Sequence, residues 1–422
     1  MIFNTEVAEM ARYLSLFLVL LMSCTSREDP GYQWLLGLAA NPAPAPEGTI
    51  PVSVNVSDVT GDSTFLFDTT RNIGVFVTVR DPVAVPTGTF VQIIDTNSGN
   101  EVMFQAVPDQ NGNVQGSFTV NETTNQVTLK LVIGGVQYTW LVDIASVQEI
   151  RRNLFVEGQI AAGFIPDADA DGIPDSEDAY PGDPQRSAIV RLPADGVYTV
   201  AYEDLYPAPG DADFNDYAAQ VKYEQDLNAR GELVRMRGYV RHVARGAGYR
   251  HTLHLNLPVQ NAQLIYKRFA ADGSAEYERN ETLPDFSGVE IMPHSGTTLT
   301  GWNSRTGDTF VAGKYAEFEV VPAAPVAVSS LGKLPYDLYL HVLNTSQNIH
   351  FAGRIQDASG QDRYLDPSGF PWAILVPGSF QWPYERVNME DAYADFRSWY
   401  TSGGAQAADW YARPTAGKVF AY

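Results

Sequence analysis

A chain of 422 residues with 50 acidic against 28 basic side chains carries a formal net charge of −22, the wrong sign for nucleic acid or for attraction to anionic lipid. Its length leaves room for two or three domains, each with its own core. The one cysteine excludes an internal disulfide and asks for another use of the thiol.

In chain order, the first element is the apolar run from Tyr13 to Met22, preceded by Arg12. It is too short to span a bilayer and has the size of a signal-peptide core. Glu6 and Glu9 are unusual before such a run, and a start at Met10 gives it the ordinary basic opening. The run closes on Leu21-Met-Ser-Cys24, which resembles the lipobox of bacterial lipoproteins. That resemblance implies that residues 1–23 are a signal peptide, that Cys24 is lipidated, and that lipid holds the chain at a membrane. Thr25 stands where an Asp would signal inner-membrane retention, so the resemblance implies export to the outer membrane, on a face that sequence does not fix. Residues 24–48 include Asn41-Pro-Ala-Pro-Ala-Pro-Glu-Gly48, whose alternating prolines predict an extended tether.

From 49 to 150, short runs alternate apolar and polar residues, as in Val75-Phe-Val-Thr-Val, Phe90-Val-Gln-Ile-Ile and Val127-Thr-Leu-Lys-Leu. Seven or eight such runs separated by turn residues predict an immunoglobulin-like β-sandwich. Residues 151–186 read as a linker. Alternation resumes over 187–422, with strands expected at Val190, Val197–Val200, Ala219–Tyr223, Leu233–Val243, Tyr249–Leu255, Ala316–Val321 and Asp337–Val342. One helix interrupts them: Asn388 is placed to cap it, Met389, Ala392, Tyr393, Phe396, Trp399 and Tyr400 share a face, and Gly403-Gly404 ends it. The expectation is an all-β protein, with a larger, sandwich-like second domain carrying one amphipathic helix.

Between Asp167 and Asp216 lie thirteen Asp and Glu against two Arg, a balance of −11 and half of the net charge. So many carboxylates in a short folded stretch repel one another unless a hard cation neutralises them. In a twelve-residue calcium loop, positions 1, 3, 5, 9 and 12 supply side chains, position 6 is Gly and position 7 gives its carbonyl. Asp167, Asp169, Asp171, Asp175 and Asp178, with Gly172 and Ile173, fill those places. Pro181 and Pro184 exclude the exiting helix of an EF-hand. The stretch through Ala179-Tyr-Pro-Gly-Asp-Pro184 resembles thrombospondin type 3 calcium repeats, which implies that calcium stiffens a connector here.

A second cluster runs from Glu203-Asp204 to Asp211, Asp213, Asn215 and Asp216. In an extended segment Asp211, Asp213 and Asn215 point one way and Phe214 the other, so that with Glu203 or Asp204 folded back they could hold a second cation. The bland alternative is that these side chains cap turns. The opening Glu203-Asp-Leu-Tyr-Pro207 and Gly210–Asp216 resembles the LruC domain of bacterial lipoproteins. So do Gly301-Trp-Asn303, Leu334-Pro-Tyr-Asp337, Pro371-Trp-Ala-Ile374 and the tail from Glu385 to Tyr411. The likeness spans about 195–420 and implies no activity.

His251 and His254 lie three apart on an expected strand, hence on opposite faces, which argues against a shared zinc. No nucleophile elbow, zinc-protease helix or phosphate loop is present. The reading is a non-enzymatic, calcium-binding, membrane-anchored envelope lipoprotein with a structural, adhesion or interaction role toward a host, matrix, glycan or envelope partner. The alternative is a carbohydrate-binding or carbohydrate-hydrolysing protein using Trp372, Trp382, Tyr384, Trp399, Trp410 and Tyr411 as stacking platforms.

Overall fold

The computed structural model describes residues 52–60, 65–81, 85, 88–157, 165–246 and 248–422. The expected signal peptide, Cys24 and the expected tether lie outside the described residues. The protein is all-β, as the alternation predicts.

The first unit is a two-sheet sandwich. One sheet orders the strands Val52–Val56, Val147–Val156, Thr70–Arg80 and Asn113–Asn121, with the short Val59–Thr60 beside the second of them. The other orders Glu101–Ala106, Phe90–Asp95, Gln126–Ile133 and Val136–Asp143. Every second residue faces inward, so Ile73, Val75, Val77 and Val79 interleave with Val91, Ile93, Leu129 and Leu131 in one core. The last strand runs six residues beyond the boundary expected at Ile150 and pairs in parallel with Thr70–Arg80.

The second unit has three layers. Its main sheet orders Ala275–Asp285, Gln260–Phe269, Tyr315–Val321, Glu232–Ala244, Tyr217–Leu227, Tyr198–Tyr202 and Ala373–Pro377. A four-stranded sheet, in the order Val289–Met292, His251–Asn256, Asp337–Val342 and Gln347–Ile349, covers one face. Val200, Tyr202, Tyr217 and Ala219 point into the core between the two sheets. The intervening Ala201 and Ala218 point the other way, into a second core closed by Phe214, Phe380, Trp382, Tyr393, Phe396, Trp399 and Trp410. All five residues of Tyr198–Tyr202 are therefore buried, the mark of a strand covered on both faces.

The aromatic cap differs from the expected helix. Asn388 does cap, its side chain accepting from Glu390 N at 2.9 Å. The helix then breaks in two, Met389–Ala392 and Phe396–Thr401, because Tyr393 turns to extended backbone. The break lets the Tyr393 and Trp410 rings meet edge to face at 5.1 Å while the Tyr393 hydroxyl donates to Gln381 O. Trp382, Trp399 and Trp410 are fully buried and Trp372 nearly so. They are core, and the expected platform keeps only the partly exposed Tyr384 and Tyr411.

The two units are packed together. Val107 N donates to Ala229 O at 2.8 Å, Thr69 Oγ1 to Leu375 O at 2.6 Å, and Lys333 pairs with Asp68 at 2.6 Å. Phe65 meets Trp399 at 5.0 Å, so the first unit also touches the aromatic cap.

Candidate functional site: two carboxylate clusters

The 165–178 segment is a loop of bends and turns, and turns follow Asp178 where an EF-hand would have a helix. Gly172 has φ +100, which only glycine adopts at little cost, and Ala170 has φ +63. This coiling brings ligand atoms of Asp167, Asp169 and Asp171 within 4.8 Å of one another. In each, one oxygen is used locally: Asp167 Oδ2 accepts from Gly172 N, Asp169 Oδ1 from Asp171 N and Asp171 Oδ1 from Ile173 N. Asp178 Oδ1 accepts from Tyr180 N at 2.6 Å. The other oxygen of each, Asp167 Oδ1, Asp169 Oδ2, Asp171 Oδ2 and Asp178 Oδ2, is buried and accepts no hydrogen bond. Asp175 is placed differently, its Oδ1 accepting from Ala168 N at 2.7 Å to close the loop.

Four buried carboxylate oxygens without donors are expensive in any protein. Burial, and then the neighbouring carboxylates, push Asp171 and Asp178 up to about 6. A hard divalent cation answers both penalties, and the donor set, all oxygen with no His or Cys, suits calcium.

The loop is also a joint. Ile173, fully buried, packs with Phe90 and Val132 of the first sandwich and Ala229 of the second unit. Glu177 accepts from Lys130 at 2.8 Å, and Ser187 N donates to Leu227 O in the main sheet. An apolar residue inside an acidic run was the sequence signal for this anchor. The Glu177 contact had none.

The second cluster lies at the end of the Tyr198–Tyr202 strand. The 210–216 segment is not extended as expected, since Ala212 and Phe214 have φ of +57 and +49. Phe214 still turns into the aromatic core, and ligand atoms of Glu203, Asp211 and Asp213 come within 4.8 Å of one another. Glu203 is 2% exposed: its Oε1 accepts from Phe214 N at 2.5 Å, and its Oε2 accepts nothing. Asp213 accepts from Asn215 N and Arg386 N, and Asp211 is exposed. Burial pushes Asp213 up to about 7; burial and then Asp213 hold Glu203 well above the usual carboxylate range.

The remaining expected ligands have other partners. Asp216 Oδ2 accepts from Asp204 N at 2.8 Å, and Asp204 Oδ2 faces His251 Nε2 at 3.0 Å. Asn215 Nδ2 donates to Pro383 O, leaving its Oδ1 buried and unpaired. Glu385, absent from the sequence expectation, has an unpaired buried Oε2 and is pushed up by burial and then by Asp211. It lies 174 residues beyond Asp211 in sequence, so no local spacing could reveal it. His254 stacks on Tyr339 and donates from Nδ1 to Gly288 O at 3.0 Å, away from His251.

Fold and clusters thus define a two-unit β protein with an acidic loop at its junction. Residues 231–411 match the family described as "Domain of unknown function (DUF4842)". The chain is similar to a solved structure described as a "Putative lipoprotein from Bacteroides ovatus", at 13% identity and a TM-score of 0.48, over 79% of this chain and 99% of that one. No curated protein matches.

Proposed function

We propose that this chain is a non-enzymatic, exported lipoprotein with an LruC-like second unit, in which calcium held by residues 167–178 fixes two β-units against each other. The reading rests on one observation above the others: four buried carboxylate oxygens, from Asp167, Asp169, Asp171 and Asp178, have no donor, in a loop whose Ile173 is pinned between the units. Asp167, Asp169, Asp171 and Asp178 hold the ion, Gly172 makes the turn, and Asp175 shapes the loop through Ala168 N. The ion supplies charge neutralisation and stiffness. A rigid presentation of two β-units on a lipid anchor at Cys24 suits adhesion or another envelope interaction. The DUF4842 match over 231–411 falls inside the stretch that resembles LruC and leaves activity open.

The test is thermal melting of the full chain in calcium and in chelator, beside Asp169→Ala/Asp171→Ala. Calcium should raise the melting temperature of the parent by more than that of the variant. A melt that ignores calcium, or responds equally in both proteins, sinks the reading. Labelled-lipid incorporation lost in Cys24→Ala tests the anchor.

A further inference from the structure

The second cluster has features that turn-capping does not explain. A carboxylate that only caps a turn uses its oxygens on backbone amides. Asp213 does so with both, toward Asn215 N and Arg386 N, but Glu203 does not. One Glu203 oxygen takes Phe214 N, and the other, in a side chain that is 98% buried by its 2% exposure, takes nothing while lying in a group with Asp211 and Asp213. The backbone makes room for it: a Cβ added at Gly210 would fall 1.9 Å from Glu203 Oε2. A buried anionic oxygen facing two further carboxylates and no donor lacks a cation.

We propose that Glu203, Asp211 and Asp213 are the protein ligands of a second calcium site, with the Glu385 carboxylate adding negative charge beside it. The donors are all oxygen, which selects a hard cation over zinc or copper. The His251 ring is held by Asp204, and Asp204 and Asp216 are bound to each other through Asp204 N. These three therefore stay outside the coordination shell. Exposed Asp211 gives the ion a route in and leaves room for water, as calcium with its 6–8 ligands requires.

The site has a structural purpose of its own. Three segments meet there: the end of the Tyr198–Tyr202 strand, the 210–216 loop and the 383–389 stretch that leads into the aromatic cap. Asp213 already accepts from Arg386 N at 2.7 Å, Met389 N donates to Ala212 O at 2.8 Å, and Asn215 Nδ2 reaches Pro383 O at 3.1 Å. An ion on Glu203, Asp211 and Asp213 fastens the cap to the main sheet. It owes nothing to the 167–178 loop, so either site can stand without the other.

Calorimetric titration of the full chain with calcium alone decides between them. The parent should bind two equivalents. Glu203→Gln/Asp213→Asn should keep the equivalent that belongs to 167–178, and Asp169→Ala/Asp171→Ala should keep the one at 203–213. Asp211→Asn, at an exposed position, preserves the fold and should weaken only the second event, by about tenfold or more, because ligand charge sets calcium affinity. Near-ultraviolet circular dichroism from the buried tryptophans should change with that second event and stay flat in Asp211→Asn. A parent that binds a single equivalent which Asp169→Ala/Asp171→Ala abolishes overturns the second site and leaves the junction loop intact. Two equivalents with unchanged affinity in Asp211→Asn overturn it as well.

Discussion

Lys130 donates to Glu177 at 2.8 Å, an ion pair between a strand of the first sandwich and the last turn of the acidic junction loop. Lys130 is 8% exposed and Glu177 32%, so the pair is half screened. Replacing Lys130 by Ala leaves Glu177 beside the other carboxylates and should destabilise the chain by about 1–2 kcal/mol, between the values for exposed and buried pairs. Chemical unfolding in saturating calcium measures it. A change within about 0.5 kcal/mol, the ordinary range for an unconnected surface site, would show that the pair contributes nothing.

Ile173 is the apolar counterpart of that contact. Its side chain is fully buried among Phe90, Val132 and Ala229, and truncation to Ala should cost about 2–5 kcal/mol. Because the loop is held in shape by this side chain, Ile173→Ala should also lower calcium affinity, although none of the carboxylates is altered. A variant destabilised by that amount with calcium affinity unchanged would separate the pin from the ion site.

Acid should act on the junction with a defined sign. Asp171 and Asp178 rise from 3.8 to about 6 in the folded chain, chiefly through burial. Without calcium, the folded state holds these protons more tightly than the unfolded one. The resulting stability is fully present below pH 3.8 and lost as pH rises through 6. His242, which burial holds at about 3, acts in the opposite direction, its stability being lost as pH falls. Comparison with Asp171→Asn/Asp178→Asn removes that background. In chelator the variant should melt above the parent at pH 7.5, and the gap should close toward pH 4. With calcium, protons compete for the same oxygens, so the parent's affinity should fall between pH 7 and 5. A variant less stable than the parent at pH 7.5 in chelator contradicts this account.

The aromatic tail should answer to stability assays and not to sugar. Trp399 is fully buried, touching Phe65 at 5.0 Å and Trp410 at 5.5 Å. Trp399→Ala should cost about 3–5 kcal/mol. A glycan array in which the parent binds and Trp399→Phe does not, at equal stability, would restore the stacking platform.

Much of this architecture was legible because one-sided burial writes period two into the chain. Val75, Val77 and Val79 announce a strand whose other face is wet, and the alternating Leu233–Val243 run does the same. The edge strand Ala275–Asp285 is not legible because charged and polar residues dominate it, Ala275-Glu-Tyr-Glu-Arg-Asn-Glu, and Gln260–Phe269 is the strand it pairs with. Such charge protects an exposed edge and erases the apolar signal. The break at Tyr393 was hidden for another reason: the helical spacing of Met389 to Tyr400 is satisfied equally by two short helices wrapped on an aromatic core. At the clusters, spacing showed the Asp167–Asp178 loop, since its carboxylates are close in sequence. It could not assign Asp204 to His251 or bring Glu385 to Asp211, because the first pairing is made by packing one sheet on another and the second by two loops far apart in the chain.

The central claim is that calcium at 167–178 holds the two units together, and amide hydrogen exchange reads that joint directly. In calcium relative to chelator, residues 165–180 should gain protection together with the Val107 amide, which bonds Ala229 O across the junction. Asp169→Ala/Asp171→Ala should lose that gain and keep any at 203–216. Exchange over 165–180 and at Val107 that is the same with and without calcium would contradict the account.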